Sequence, residues 1–332
     1  MRGWCGDGII CTINNERNKS LAASLDVPVV NVSGAFTSAG VPSVVGEDEV
    51  VGRVAAEHFT SRGFRNFAFL GPREPHFAQK RSQGFRDAVT EAGFAVHETP
   101  QPKIPGGTDW LHQLEHLGEW LRDMDRPVAV FTAFDAVGHM VIQACRHVGL
   151  HVPEEVAVLG VDNDPTWCEL SNPPLSSISQ NFEGRGYMAA ELLNRLMAGE
   201  SPSDEPIGVP AETVVVRRST DIFATDDETV RAALRFIHEH SDEQLRVNDV
   251  AAATHMSRRN IERRFHRALG RTVYDEIRHS RLATARSLLT RTDKPLMEVA
   301  LDSGFSSASD LSNAFRRHLG MTPSQYRRRH ST

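Results

Sequence analysis

The sequence predicts an α/β body followed by an all-α domain built on two helix-turn-helix units. Three observations point there. Short apolar runs alternate with segments of helical period from residue 8 to about 198, the pattern of parallel β-α units. Two later segments, 248–270 (NDVAAATHMSRRNIERRFHRALG) and 296–320 (LMEVALDSGFSSASDLSNAFRRHLG), share one form. Each has a short apolar-periodic run, a break with Ser, and a longer run holding Phe and Arg that closes at Gly. The charge divides near the same place. Residues 1–223 hold 18 Lys/Arg against 29 Asp/Glu, whereas 224–332 hold 19 against 14, and of those 19 cations all but Lys294 are Arg.

A chain of 332 residues suits two or three domains. Its 40% hydrophobic and 24% charged content is that of an ordinary soluble globular protein. Cys5, Cys11, Cys145 and Cys168 form no CxxC pair, which favours a reducing, cytoplasmic compartment. No run approaches the ~18 apolar residues of a membrane span, so no membrane partner is expected. The start, MRGWCGDGII, lacks the form of a signal peptide. An acidic body with an Arg-rich tail points to a polyanion partner for the tail, against the plainer reading of a solvated helical surface.

In the body, 8–13 and 27–32 read as buried strands with a helix over 18–25 between them, and 43–46 is extended. A helix over 49–62 follows, with Val50, Val51, Val54, Ala55, His58 and Phe59 at helical spacing. Strands are expected at 66–71, 95–97, 127–132 and 156–161, and helices at 80–92, 111–122, 136–148 and 185–198. Ligand sites in such sheets lie at strand carboxyl ends, and polar residues collect there. Asn31 and Ser33 form one tip, Asp135 another, and Asp162, Asn163 and Asp164 a third; Arg81 opens the helix after 66–71. Fixed carboxylates with an Arg fork suit a hydroxyl-rich ligand. Singly, each Asp or Asn reads as a helix cap; together they favour a ligand cleft. Phe77 and Trp110 read as packing residues rather than ring-stacking ones. His112 and His116, at i and i+4, read as a solvent face rather than zinc ligands, and no cofactor or metal site is expected. With no GxSxG, P-loop or GxGxxG present, a sugar-modifying enzyme is the weaker reading.

These residues carry a resemblance. The runs VPVVNVSG, VVGEDEVVGRVAAEHFTSRGFRNFAFLGP, KRSQGF, FTAFDAVGHM, VAVLGVDND and PPLSSISQNFEGRGYMAAELL, within 8–218, resemble the ligand-binding domain of lac-repressor and galactose-repressor type proteins. That domain is itself similar to periplasmic sugar-binding proteins. The resemblance implies a two-lobed periplasmic-binding-protein-like fold with sugar contacts from Arg81, Asp162 and the Phe134–Asp135 pair. Asn31 falls where a polar ligand contact or interlobe residue sits. Phe134 departs from the family, where Asn or Thr is usual, so Asp135 is then expected to serve the following helix instead. The family fold has two further β-α units before the strand at 8–13. The domain is therefore expected to lack its first β-α units, with a native start about 55–60 residues upstream.

Residues 217–227 (RRSTDIFATDD) are charged and rich in Ser, Thr and Asp. They divide an effector domain, 1–220, from a helical domain, 228–330, with 221–227 as linker. Thr225, Asp226 and Asp227 are expected to cap a helix over 228–240. In the first repeat unit, 247–254 is a supporting helix, Met256 and Ser257 form the turn, and Ser257 caps a second helix reaching about Leu269. Ile261, Phe265, Ala268 and Leu269 make its apolar stripe; Arg258, Arg259, Asn260, Arg263, Arg264 and Arg267 lie opposite. Arg pairs with guanine edges or phosphate and Asn with adenine, so this helix suits a major groove.

A long helix over 272–289 points Val273, Ile277, Leu282, Ala285 and Leu289 inward and spaces the two units. In the second unit, 296–302 supports, 303–305 turns, and a recognition helix runs over 306–319. Ser306 opens it; Ser307, Ser309, Asp310, Ser312, Asn313, Arg316 and Arg317 face out, the two Arg placed to hold phosphate. A short last helix starts at 321–324, where Pro323 is tolerated in the first turn, and Arg327–Arg329 make a basic end.

The motifs ATHMSRRNIERRF, RLATARSLL, VALDSGFSS and FRRHLGMTPSQYR closely resemble the DNA-binding domain of arabinose/xylose-regulator (AraC/XylS) type proteins, over about 226–328. Asp310–Leu311 stands where that family has an aromatic pair; Asp310 is expected to pair with an Arg or to accept from a cytosine amino group. The two resemblances in one chain, with the RRST exit at 217–220, look most like the xylose-operon regulators. They imply a homodimer on a double-stranded DNA operator, with xylose or a related monosaccharide as small-molecule effector, acting as an activator in the cytoplasm, at the nucleoid. The rivals are a repressor answering another monosaccharide and a sugar-transport receptor.

Overall fold

The structure is a computed structural model that describes residues 6–36, 38–98, 110–201, 205–225, 227–319 and 321–330. Lobe one holds four short strands: β1 (Ile9–Cys11), β2 (Val29–Asn31), β3 (Val44–Gly46) and β9 (Ile207–Val209). β1 runs parallel to β2 with Ile10 opposite Val30, and β3 parallel to β9 with Val45 opposite Gly208. A bridge between Asn31 and Ser43 joins the pairs. Helix α7 (Phe182–Met197) covers them, burying Ala189 and Leu192 against Val30, Val44 and Val209. Helix α1 (Glu16–Ala23), capped by the Asn15 side chain, adds a smaller cluster of Ile13, Ala22 and Val29.

Lobe two is a six-stranded sheet. Its strands are β4 (Asn66–Leu70), β5 (Val96–Glu98), β6 (Val128–Thr132), β7 (Val156–Val161), β8 (Ser176–Gln180) and β10 (Ala211–Val215), ordered β10-β8-β7-β6-β4-β5. All neighbours are parallel except β10, which returns antiparallel along the edge. The continuous apolar runs VAVFT and VAVLGV are buried on both faces, as a covered parallel sheet demands. Helices α2 (Asp48–Ser61) and α3 (His76–Glu91) cover one face over Phe59, Phe67, Phe85 and Phe131. Helices α4 (Trp110–Arg122) and α5 (Asp135–Val148) cover the other over Leu117, Val130, Met140 and Val158. The chain passes between lobes after β3, β8 and β9. Near the first passage α2 and α3 touch backbone to backbone. A Cβ on Gly52 would lie 2.2 Å from Arg81 O, and one on Gly84 2.0 Å from Glu49 O.

Several elements depart from the expected ones. Helix α3 begins at His76, so Arg81 lies inside the helix rather than opening it. Strands β8, β9 and β10 and helix α6 (Pro165–Leu170) were not expected as separate elements. β8 carries three Ser, and β9 has only three residues, so neither shows a clear strand pattern.

After a single 3-10 turn at Arg218–Thr220 comes α8 (Glu228–Glu239). Asp227 caps it, accepting from the N–H groups of Thr229 and Val230 at 3.0 and 3.3 Å; Asp226, expected to share that role, lies outside the described residues. The first unit is α9 (Val247–Ala253) and α10 (Arg258–Leu269), the second α12 (Leu296–Asp302) and α13 (Ala308–Leu319), with α14 (Pro323–His330) last. Helix α11 (Val273–Arg291) is the spine. Val273 and Ile277 enter a core with Val230, Leu234, Val250, Ile261 and Phe265. Leu282, Ala285 and Leu289 enter a second with Val299, Leu311, Phe315 and Tyr326.

Candidate functional site

The interlobe cleft is built on Arg81. Its Nε donates to Asp48 Oδ1 at 2.8 Å, and Nη2 lies 3.8 Å from Asp162 Oδ1. Gln180 Nε2 donates to Asp162 Oδ1 at 2.7 Å, and Arg185 Nη2 donates to Gln180 Oε1 at 2.6 Å. These five side chains come from α2, α3, the end of β7, the end of β8 and α7, so the network crosses between lobes. Burial holds the Asp48 and Asp162 carboxyls above the usual range and outweighs the attraction of Arg81. The Phe77 ring lies over the Arg81 guanidinium, 4.8 Å from centroid to Cζ, and meets Phe134 edge-on at 6.4 Å. Phe77 packs against the lobe-two core, as expected, and also faces the charged cluster. A cavity of about 460 Å³ opens beside Asp48, lined also by Ser33, Ser43, Gly46 and His76. That volume lies within the range of small-molecule sites.

Asp162 is set by its backbone. Its φ of 106° and the 53° of Asn163 are unusual for residues with a side chain. They are held by bonds from β8 and beyond: Asp162 N–H donates to Ile178 O at 3.0 Å and Asn163 N–H to Ser177 Oγ at 2.9 Å. Arg217 Nη2 donates to Asn163 Oδ1 at 2.9 Å.

Asn31 and Asp135 do not join this network. Asn31 Oδ1 accepts from the N–H groups of Ile13 and Ser33, and its amide donates to Ser33 O and Ser43 Oγ. Asp135 is 1% exposed, accepting at Oδ1 from Ser177 Oγ at 2.6 Å and at Oδ2 from Asp164 N–H at 2.8 Å. Burial pushes its carboxyl up to about 7. Both side chains are spent holding strand ends. Asp48, Gln180 and Arg185 escaped the sequence reading: Asp48 stands just before the helix expected at 49–62, Gln180 ends a strand with no alternation to reveal it, and Arg185 opens the helix expected at 185–198. Trp110 packs against the lobe-two core. His112 and His116 lie exposed on α4, rings 5.4 Å apart. Among the described residues no group of three His, Cys, Asp or Glu is placed to hold a metal.

The helical domain presents two polar faces. On α10, Arg258, Arg259, Arg263 and Arg267 are exposed, and Arg263 Nη2 donates to Asn260 Oδ1 at 2.9 Å. Ser257 caps the helix, accepting from Asn260 N–H. Arg264 is turned away, paired with the capping Asp227 at 2.7 Å. On α13, Ser309, Asp310, Asn313, Arg316 and Arg317 are exposed. This helix starts two residues later than expected: Ser307 accepts from Asp310 N–H at 3.1 Å in the cap position, and Ser306 precedes it. Among the described residues Asp310 forms no ion pair with an Arg; it accepts from the Ser306 hydroxyl at 3.0 Å, and its charge acts on Arg281 from a distance.

A seam joins this domain to lobe two at the end of α2. Arg271 donates to Thr60 O and Ser61 O at 2.8 and 2.7 Å, and through Nε to the buried Glu276 at 2.6 Å. Burial pushes the Glu276 carboxyl up, but His238, with Nε2 3.4 Å away, and the Arg271 charge outweigh it and hold it below the usual range. Arg286 pairs with Glu57 at 2.9 Å, and His58 Nε2 lies 2.9 Å from Thr220 Oγ1. Arg65 donates to Ala268 O, capping the last turn of α10. Helix α2 therefore has Asp48 in the cleft at one end and its last carbonyls in the grip of the helical domain at the other.

A two-lobed α/β domain with a charged interlobe cleft, joined to two Arg-bearing helix-turn-helix units, defines a DNA-binding transcription regulator with an effector domain. Comparison with known proteins agrees. A periplasmic binding protein-like domain family matches residues 56–220, and a helix-turn-helix domain family matches 250–329. The Escherichia coli xylose operon regulatory protein is 30% identical over 340 residues, spanning 98% of this chain and 85% of that protein. Its Haemophilus influenzae counterpart is 27% identical over 328 residues, spanning 97% and 84%. The solved structure of a xylose-binding transcription activator matches with a TM-score of 0.62 at 30% identity, covering 100% of this chain and 89% of that one. The chain belongs to the xylose operon regulatory protein family.

Proposed function

We propose that this regulator is a homodimeric activator of sugar-catabolism genes whose effector is xylose or a closely related monosaccharide. The observation that carries the effector reading is the Asp48–Arg81–Asp162–Gln180–Arg185 network between the lobes, buried at Asp48, Arg81 and Gln180 and half-buried at Asp162 and Arg185. It offers a pentose ring both acceptors and forked donors, with Phe77 and Phe134 beside it. Arg81 and Asp162 contact hydroxyls, with Asp48, Gln180 and Arg185; Asn31 and Asp135 position the strand ends behind them. The effector domain spans 1–220, the linker 221–227 and the DNA-binding domain 228–330. Ser257, Arg258, Arg259, Asn260 and Arg263 of the first unit, and Ser306, Ser307, Ser309, Asp310, Asn313, Arg316 and Arg317 of the second, form the DNA face. Arg264 instead anchors α10 to the α8 cap. The two recognition helices enter successive major grooves about 34 Å apart. The protein acts in the cytoplasm, at the nucleoid.

Sugar closes the lobes, and closure displaces α2, whose far end holds the DNA-binding domain. Activation requires that sugar bind the closed, DNA-competent state better than the open one. The test is a gel shift of the full chain on DNA upstream of its own gene, at fixed salt, with and without xylose. Xylose is expected to strengthen specific binding, and Asp162→Asn to bind the same DNA without answering xylose. Specific binding that no pentose strengthens would overturn the effector reading while leaving the DNA reading intact.

A further inference from the structure

Beneath the seam, lobe two and helix α10 enclose an open cleft of about 960 Å³. Lobe two lines it with Arg65 and Arg126, and α10 with Arg263, Arg264 and Arg267. The acids on its wall are already engaged, Asp227 by Arg264 and Glu228 by Arg231. Arg267 is exposed and makes no hydrogen bond or ion pair among the described residues. Arg126 uses Nη1 on Glu155 at 2.6 Å and Nη2 on Arg122 O at 3.4 Å, and Arg65 caps α10 through Nη2. A guanidinium has five N–H donors, so both keep donors to offer. Besides the paired Arg264, four guanidiniums line the two sides of the cleft, and among the described residues only Arg126 of the four has a carboxylate partner, an arrangement that suits a polyanion.

The position of the cleft says which polyanion. Helix α10 has 12 residues, about 18 Å at 1.5 Å per residue. A major groove is about 12 Å wide. A helix that reads bases with its first turns, where Arg258 and Arg259 are exposed, carries its last turns out to the groove wall. Arg263 and Arg267, one turn apart, lie on that exit path, and Arg65 and Arg126 lie across the cleft from them.

Resting on the DNA-binding reading above, we propose that lobe two itself touches the operator. Arg65 and Arg126, with Arg263 and Arg267, clamp the phosphodiester backbone flanking the half-site read by α10. The effector domain is then part of the DNA interface as well as its controller.

Salt dependence of operator binding by the full chain tests this, because each phosphate contact adds about 0.9 to the slope of log affinity against log salt. Arg126→Ala and Arg65→Ala are each expected to reduce that slope by about one unit per protomer, with base preference unchanged. Arg126→Lys keeps the charge and should restore the slope. Trimming the duplex on that flank should cost the parent more slope than it costs either variant, by the one contact that each variant has already lost. Urea midpoints equal to the parent's show that the variants are folded; should Arg65→Ala loosen α10, Arg126→Ala carries the test. Parental slopes in both variants, with Arg316→Ala still reducing it, would sink the clamp and leave the DNA reading standing. A slope loss insensitive to trimming, with pyrophosphate raising the melting temperature of the DNA-free protein, would assign the cleft to a small phosphate ligand and overturn the proposal.

Discussion

Asp135 and Asp162 stand at neighbouring strand ends and do opposite work. Asp162 turns into the cleft toward Arg81 and Gln180; Asp135 is sealed behind it against Ser177 and the Asp164 N–H. Both were legible in the sequence as polar residues at strand tips. Which one faces the cleft was not, because β8 decides it: Ser177 consumes Asp135, and Gln180 engages Asp162. That strand pairs from far along the chain and shows no alternation of its own. The sealed carboxyl has a thermodynamic signature. Its pKa is near 7 in the folded protein against a usual 3.8. Between those values the folded state keeps a proton that the unfolded state has released, so stability falls as pH rises from about 4 to about 7 and levels above. The Asp135 contribution has a slope of at most about 1.4 kcal/mol per pH unit. Asp135→Asn keeps an acceptor for the Asp164 N–H and offers its amide to Ser177, and it cannot titrate. Urea unfolding at pH 5 and pH 7.5 should show the variant gaining on the parent at the higher pH. An equal difference at both pH values would mean that Asp135 is ionised throughout.

The two helix-turn-helix units repeat one another bond for bond, and the differences locate strain. Met256 N–H donates to Ala251 O at 2.9 Å, and Phe305 N–H to Ala300 O at 2.8 Å. Thr254 and Ser303 hydroxyls each donate four residues back, to Val250 O and Val299 O. Both turns need a residue in the left-handed region, supplied by His255 at φ 54° and Gly304 at φ 73°. They are not equivalent in space. A Cβ on Gly304 would lie 2.3 Å from Glu243 O. Gly304→Ala adds that clash to the cost of the conformation, and is expected to destabilise by about 2 kcal/mol or more. His255→Gly relieves the same conformation at the entropic cost of glycine and should stay within about 1 kcal/mol. Urea unfolding of both variants decides it; a Gly304→Ala loss below about 0.5 kcal/mol would show that the turn can shift. At this scale the helical domain was readable because its stripes, Ile261 and Phe265 or Leu311 and Phe315, recur at local spacing. Helix starts were less so: the second turn is one residue longer than the first, which moves the cap from Ser306 to Ser307.

At the scale of the molecule, the interlobe cleft and the helix-turn-helix domain are tied by one rigid part. Helix α2 begins at Asp48 in the cleft and ends at Ser61 in the seam, backed along its length by the close crossing with α3. Arg271 holds its last carbonyls, and Glu276 holds Arg271. If α2 carries closure to the DNA-binding domain, cutting this grip should uncouple the two sites without emptying either. Arg271→Ala alone is a poor cut, since it leaves a buried carboxylate with only His238 beside it, at a cost of up to about 3–5 kcal/mol. Arg271→Ala with Glu276→Gln removes the grip and the stranded charge together. The double variant should bind xylose with parental affinity and operator DNA with the parent's sugar-free affinity, while the ratio of DNA affinities with and without xylose falls toward one. Coupling free energy is reciprocal, so under the proposed coupling operator DNA should tighten xylose binding in the parent by that same ratio and should cease to do so in the variant. Calorimetry of xylose binding with and without operator measures the second side of the cycle. A parental ratio on both sides would exclude the Arg271 grip as the route. A fall on one side alone is thermodynamically forbidden, so agreement between the two measurements also checks that the variant remains one folded, two-site protein.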